Sequence, residues 1–127
     1  MTDQPAIVAA LAVMDAHIEA LNAHDEAALA ETLHFPHIRL SSSDLKIWPD
    51  ADSYFADFRA RAGGDWHHSA FDDIKVLASS DDKVHLDAAI IRYDAHNTII
   101  NQFRSLWVIL RDNERWAAKM RSSFAGS

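Results

Sequence analysis

From residue 66 onward the apolar side chains recur at every second position, in runs joined only by turn-forming sequences. The runs cover residues 66–78, 83–93, 98–111 and 115–124, and the joints are "SSDD", "DAHN" and "DN". A period of two belongs to strands, and connections this short allow only antiparallel neighbours. The second half of the chain therefore reads as a four-stranded meander. The first half carries the other period. Ile7, Leu11, Met14, Ile18 and Leu21 recur at helical spacing within residues 4–22, with Asp3 placed to cap and Pro5 in the first turn. "NAHDEAALAETL" restarts a helix after a break at Asn22 or His24–Asp25, and Pro36 ends it. "HIRLS" (37–41) alternates as a short strand, "SSSD" turns, and "LKIW" (45–48) reads as a second strand. Asp50 caps a third helix over about residues 50–62, with Tyr54, Phe55 and Phe58 on its buried side, and Gly63–Gly64 terminates it.

Three helices followed by a meander predict an α+β fold: a curved antiparallel sheet wrapped around N-terminal helices as a cone. A chain of 127 residues fits one domain and buries a core without staples. The absence of cysteine excludes disulfides, thiolate zinc sites and cysteine nucleophiles. A net charge of −7 argues against nucleic acid or an anionic membrane as partner. The apolar start has no basic segment before it and is interrupted by Asp15, His17 and Glu19, so it reads as neither a targeting signal nor a membrane span. A cytoplasmic protein is the expectation. Only three glycines are present, and neither a phosphate loop, a dinucleotide fingerprint nor a G-x-S-x-G elbow occurs, so no cofactor is expected.

The chain resembles the nuclear transport factor 2-like superfamily, in its SnoaL-like branch. The resemblance rests on "LNAHDEAALAETL" after the first helix, the exit "HFPHIRL", and the third helix after Trp48. It continues through "DKVHLDAAIIRYDAHN" and the closing hairpin "SLWVILRDNERWAAKMRSSF", with Trp116 just past the turn. It implies a cone-shaped α+β barrel, often dimeric through its sheet, with a pocket between the concave face and the helices. Isomerases, dehydratases, epoxide hydrolases and polyketide cyclases share this fold with non-enzymatic binding and assembly domains, so fold does not fix function.

The candidate site depends on strand faces. Val84, Leu86, Ala88 and Ile90 form a clean apolar row, with Ile74 and Val76 as its companion across the hairpin and Lys75 opposite Asp87. That register puts His68, Asp72 and Arg92 on the concave face and His67, His85, Asp87 and Tyr93 outside. A tight turn at Ser80–Asp81 reverses the assignment of His85 and Asp87, because a one-residue slip swaps the faces. In the first register His68 serves as base or acid, Asp72 orients it, and Arg92 and Arg121 stabilise an anion. The alternative for His68 is a hydrogen-bonded, inert residue at the mouth. Trp48, Tyr54 and Phe58 are expected to wall a ligand or to be plain core, and Asp94 to line the mouth or to start a turn. Arg92-x-Asp94 is similar to an arrangement in the limonene-epoxide-hydrolase branch. The final strand offers Arg121, Ser122 and Ser123 where that branch needs a second acid.

His34 and His37 flank a proline, and too few ligands converge there for a metal. His37 and Arg39 read as a polar outer row opposite Ile38 and Leu40. Leu106, Val108 and Leu110 are expected in the core. That leaves Phe103 and Trp107, with His67 and Phe71, on an outer surface for a second copy of the chain. Two functions fit: a pocket protein for a small apolar or carboxylate-bearing molecule, with cofactor-free isomerase, dehydratase or cyclase chemistry, or a non-catalytic dimeric binding or assembly domain.

Overall fold

The computed structural model describes residues 4–61 and 64–125. Its elements are α1 (Gln4–Asn22), α2 (Glu26–Glu31), β1 (Leu33–Ser41), β2 (Asp44–Trp48), α3 (Ala51–Arg61), β3 (His68–Ser79), β4 (Lys83–Tyr93), β5 (Ile99–Asp112) and β6 (Arg115–Ser123). They form one six-stranded sheet in the order β2-β1-β6-β5-β4-β3. All neighbours are antiparallel except β1 and β6, which run parallel. The proposed capping by Asp3 and the stop at Gly63 lie outside the described residues, while Gly64 takes φ +67°, open to glycine without strain.

The local reasons are those of the sequence. The Asp25 carboxylate accepts from Ala28 N at 3.1 Å and starts α2, and Asp50 accepts from Ser53 N at 2.8 Å to start α3. Asn22 ends α1 and clasps β3: its Nδ2 donates to Ser69 O, and Ser69 N donates to its Oδ1, both at 2.8 Å. Two expectations need correction. The second helix stops at Glu31, where Thr32 caps it, and Pro36 lies inside β1 rather than at a helix end. By length and composition α1 is apolar enough to cross a membrane. Its buried residues Ala6, Ala10, Val13, Met14, His17 and Ala20 instead form one stripe, and α1 packs on β3, β4, β5 and β6.

The β3–β4 hairpin has the expected register: Ile74 faces Ala88, Val76 faces Leu86 and Lys75 faces Asp87. The turn is nonetheless tight, with Ser80 N donating to Lys83 O at 2.8 Å. A bulge between Val76 and Ala78 absorbs the one-residue difference. The inner placement of His68 requires an unbroken alternation back from Ile74, and a second bulge, between Phe71 and Asp73, breaks it and moves everything N-terminal to the other face. The core lies between α1 and the inward rows Val84–Leu86–Ala88, Trp107–Ile109 and Leu33–Ala118.

Candidate functional site

The pairing registers place one inward layer at Ser41, Ser123, Ser105 and Ala88, and the next at Arg39, Arg121, Trp107 and Leu86. Trp107 is 3% exposed and Leu106 is 40% exposed. This corrects the face of β5. Phe103 and Trp107 point inward with Ser105 and Ile109, and Leu106 lies on the outer face with Val108. The strand is apolar on both sides, so alternation alone does not choose. β1 is corrected in the same way: His37 is buried and Arg39 half-buried on the inner side, while Leu40 is exposed.

The bulge at Asp72 removes the expected dyad. Ser69 and Phe71 turn inward, Phe71 meeting the Trp107 ring edge-on at 6.0 Å between centroids. His68 turns outward and stacks on Tyr93 at 4.8 Å, with its Nδ1 2.9 Å from Nδ1 of exposed His67. His67 lies just ahead of β3 and donates its N–H to Tyr93 O at 2.8 Å. Asp72 is exposed at the bulge, where its charge acts on Arg104 of β5. Four residues of strand put His68 and Asp72 about 13 Å apart. Arg92 stays on the inner side opposite Ser69 and Asn101. Asn101 and Trp107 stand six residues apart on β5, so Arg92 and Arg121 are separated by roughly 20 Å and share no ligand. Asp94 is a turn residue: its Oδ1 accepts from His96 N and Thr98 N, both at 2.9 Å, and these bonds hold its carboxyl below the usual range. Trp48 and Tyr54 are core residues, and Phe58 packs against that core from the edge.

What does converge is a different set. The Arg121 guanidinium lies over the Trp107 ring at 5.1 Å and donates from Nη2 to the Tyr54 hydroxyl at 3.1 Å. Its Nε is buried without a hydrogen-bond partner. Tyr54 joins Trp48 at 5.0 Å, Phe55 at 5.1 Å and His37 at 5.8 Å in edge-on contacts. His37 donates from Nδ1 to Ala118 O at 3.1 Å, which leaves Nε2 as a buried acceptor with no partner. His17 meets the Trp107 edge at 5.0 Å and donates from Nδ1 to the Thr32 hydroxyl at 2.8 Å, because that hydroxyl already donates to Leu29 O. Burial, and after it the charge of Arg121, pushes both His17 and His37 down to about 3. Both imidazoles are neutral at pH 7, and Arg121 is the fixed charge between them. His34 bonds elsewhere, to Leu110 O at 2.8 Å, and among the described residues no three or more His, Asp or Glu side chains are placed to hold a metal ion.

His17 escaped the sequence reading, although it falls on the apolar stripe with Ala10, Val13, Met14 and Ala20. A histidine at such a position was the available signal. Two depressions lie on the helical side. One, about 710 Å³, is an open groove along Ala9, Ala12, Ala16, Ala28 and Trp116. The other, about 240 Å³, sits over Leu29 and Phe58 between α2 and α3, where Arg59 pairs with Glu26. Neither is lined by Arg121, His17 or His37.

No family model and no curated protein matches the sequence. Solved structures do match over nearly the whole chain. A protein of unknown function with a cystatin-like fold from Nostoc punctiforme superposes with TM-score 0.76 at 7% identity, covering 92% of this chain and 88% of that one. An NTF2-like protein from Cytophaga hutchinsonii superposes with TM-score 0.74 at 17% identity, covering 98% and 99%. The fold is NTF2-like. A ketosteroid isomerase-like protein from Erwinia carotovora atroseptica shares it with TM-score 0.64 at 18% identity, covering 94% and 96%. Identities this low carry the NTF2-like architecture and leave the chemistry to the residues of this chain.

Proposed function

We propose that this chain is a small-molecule-binding NTF2-like domain whose ligand docks on the concave side of β1, β6 and β5, with Arg121 as its polar anchor. The observation that carries the reading is a half-buried guanidinium set among aromatic rings with one N–H unused. A buried donor without a partner loses about 1–3 kcal/mol, which a ligand acceptor restores. Binding is favoured over acid–base catalysis. His68 and Asp72 lie apart, and an imidazole whose conjugate acid titrates near 3 is a weak base at pH 7. Tryptophan fluorescence against a panel of small organic molecules tests the reading. A saturable change is expected in the native protein, and a ten-fold or greater loss of affinity in Arg121→Met. An equal response in the variant would remove Arg121 from the site.

A second reading, an isomerase, dehydratase or cyclase, is favoured by one contact. The Tyr54 hydroxyl accepts from Arg121, so its own proton is available to an oxyanion formed on a ligand. Turnover lost in Tyr54→Phe with binding retained would support it.

We also infer a homodimer through the outer sheet face. The surface named for this in the sequence turned inward at Phe71, Phe103 and Trp107. The exposed apolar residues instead include Leu40, Leu45, Ile47, Leu106 and Met120, neighbours across β2-β1-β6-β5. Light scattering should give twice the chain mass, and Met120→Lys should halve it. A monomeric native protein at all concentrations defeats the idea. The packing of α1 on the sheet fits a water-soluble domain rather than a membrane anchor.

A further inference from the structure

We propose that the cavity between α2 and α3 is a second binding site, for a small neutral aromatic molecule of the phenol type. It is separate from the Arg121 layer and does not depend on it. The cavity measures about 240 Å³. Ala20 and Leu29 form its buried floor, and half-buried Leu21 and Phe58 stand as its walls. The sequence makes this gap. Asp25 N donates to Ala20 O and His24 N to Leu21 O, both at 3.1 Å, so the chain reverses at His24, where φ is 56°. From there α2 packs on α1 and β1, while α3 packs on β2. Arg59 of α3 reaches Glu26 of α2 across the opening. Its Nε donates to Glu26 Oε2 at 2.8 Å and its Nη2 to Glu26 Oε1. A fork of this kind fixes the spacing of the two helices. Phe58 packs behind itself, on Tyr54 at 6.4 Å and Phe55 at 6.2 Å between centroids, and leaves the gap unfilled.

Size and charge select the occupant. An apolar cavity of roughly 150 Å³ takes benzene, so this one holds a single ring with one substituent. Drug-sized ligands need about 300 Å³ or more and are too large for it. Phe58 offers the ring an aromatic face or edge. The rim asks for no net charge. Glu26 and Arg59 neutralise one another, and Asp25, whose Oδ1 accepts from Ala28 N at 3.1 Å, stands beside them. The two carboxylates oppose an anion, and the guanidinium opposes a cation. His24 brings an imidazole to the same rim, tilted against Trp66 at 5.3 Å between centroids. A neutral imidazole both donates and accepts, which matches a hydroxyl. The Glu26–Arg59 pair is no barrier to entry. The Arg59 side chain is 64% exposed, and a pair this open is screened by salt and parts readily.

Methyl signals of 13C-labelled protein report on the cavity without any substitution. Phenol, which keeps its proton at pH 7, is titrated in, with benzoate and benzylammonium as its charged counterparts. The signals of Ala20, Leu21 and Leu29 should shift and saturate with phenol. Leu21→Trp, which fills the cavity from its half-buried wall, should weaken phenol at least ten-fold. An unchanged affinity in that variant overturns the site. So does a native protein in which phenol moves only Trp107 and the Arg121 Nε–Hε signal, or only Ala9, Ala12 and Ala16 of the open groove. The first of those results would place the ring at the concave layer and support the Arg121 reading instead. Either charged probe binding as tightly as phenol overturns the neutral assignment. No saturation by phenol removes this cavity as a site and leaves the Arg121 reading to its own test.

Discussion

Lowering the pH from 7 to 5 should remove about 4 kcal/mol of folding stability, a large share of the roughly 5–15 kcal/mol margin of a typical domain. The source is His17 and His37, which are 3% and 0% exposed. Their ordinary value is 6.5 and the fold holds each near 3, through burial first and the charge of Arg121 second. The folded pKa lies below the unfolded one, so the unfolded chain binds protons that the folded chain refuses. Stability is therefore complete above pH 6.5 and falls as the pH drops from there toward 3. At pH 5 each histidine accounts for about 2 kcal/mol of the loss. Urea unfolding at pH 7, 6 and 5 measures the slope, and His37→Asn should roughly halve it. A midpoint that stays level over this range would mean that neither imidazole is held neutral by the fold.

The elements were legible because they rest on local signals. Helical spacing marked α1 to its last residue, the turns "SSDD" and "DN" bounded β4 and β6, and the Lys75–Asp87 pair followed from matching apolar rows. The site was not legible, for two physical reasons. β5 is apolar on both faces, since one covers helices and the other carries the exposed Leu106, so its alternation is degenerate. The bulge at Asp72 has no sequence mark comparable to a glycine, yet it decides that Ser69 and Phe71 face α1 while His68 faces out. The inner residues also break the rule that polar means outside. His17, His37, Arg39 and Arg121 occupy inward positions because hydrogen bonds and indole faces receive them there. The expected partners His68 and Asp72 lie within one strand, whereas the groups that converge, His17, His37, Tyr54, Trp107 and Arg121, come from five elements, α1, β1, α3, β5 and β6.

The face of β5 is also the sharpest test of this architecture, because two adjacent residues should behave in opposite ways. Trp107→Ala should destabilise by about 3–5 kcal/mol, the range for removing a buried indole. The side chain is 3% exposed, donates from Nε1 to the Ser105 hydroxyl at 2.9 Å, and touches His17, Phe71 and Arg121. Its loss also removes the surface on which the Arg121 fork rests, so ligand affinity should fall with stability. In the Met120→Lys background, which removes the proposed dimer contact, Leu106→Ala should change stability by under about 1 kcal/mol, because the side chain then stands exposed on the outer face. Denaturant unfolding of the two variants at one protein concentration makes the comparison. The reverse order would place Leu106 in the core and Trp107 outside, and with that the whole concave layer of Arg39, Arg121 and Trp107 would dissolve. Trp107→Phe separates packing from bracing. It refills most of the volume and should recover much of the stability, while a smaller ring holds the guanidinium less firmly and affinity recovers less.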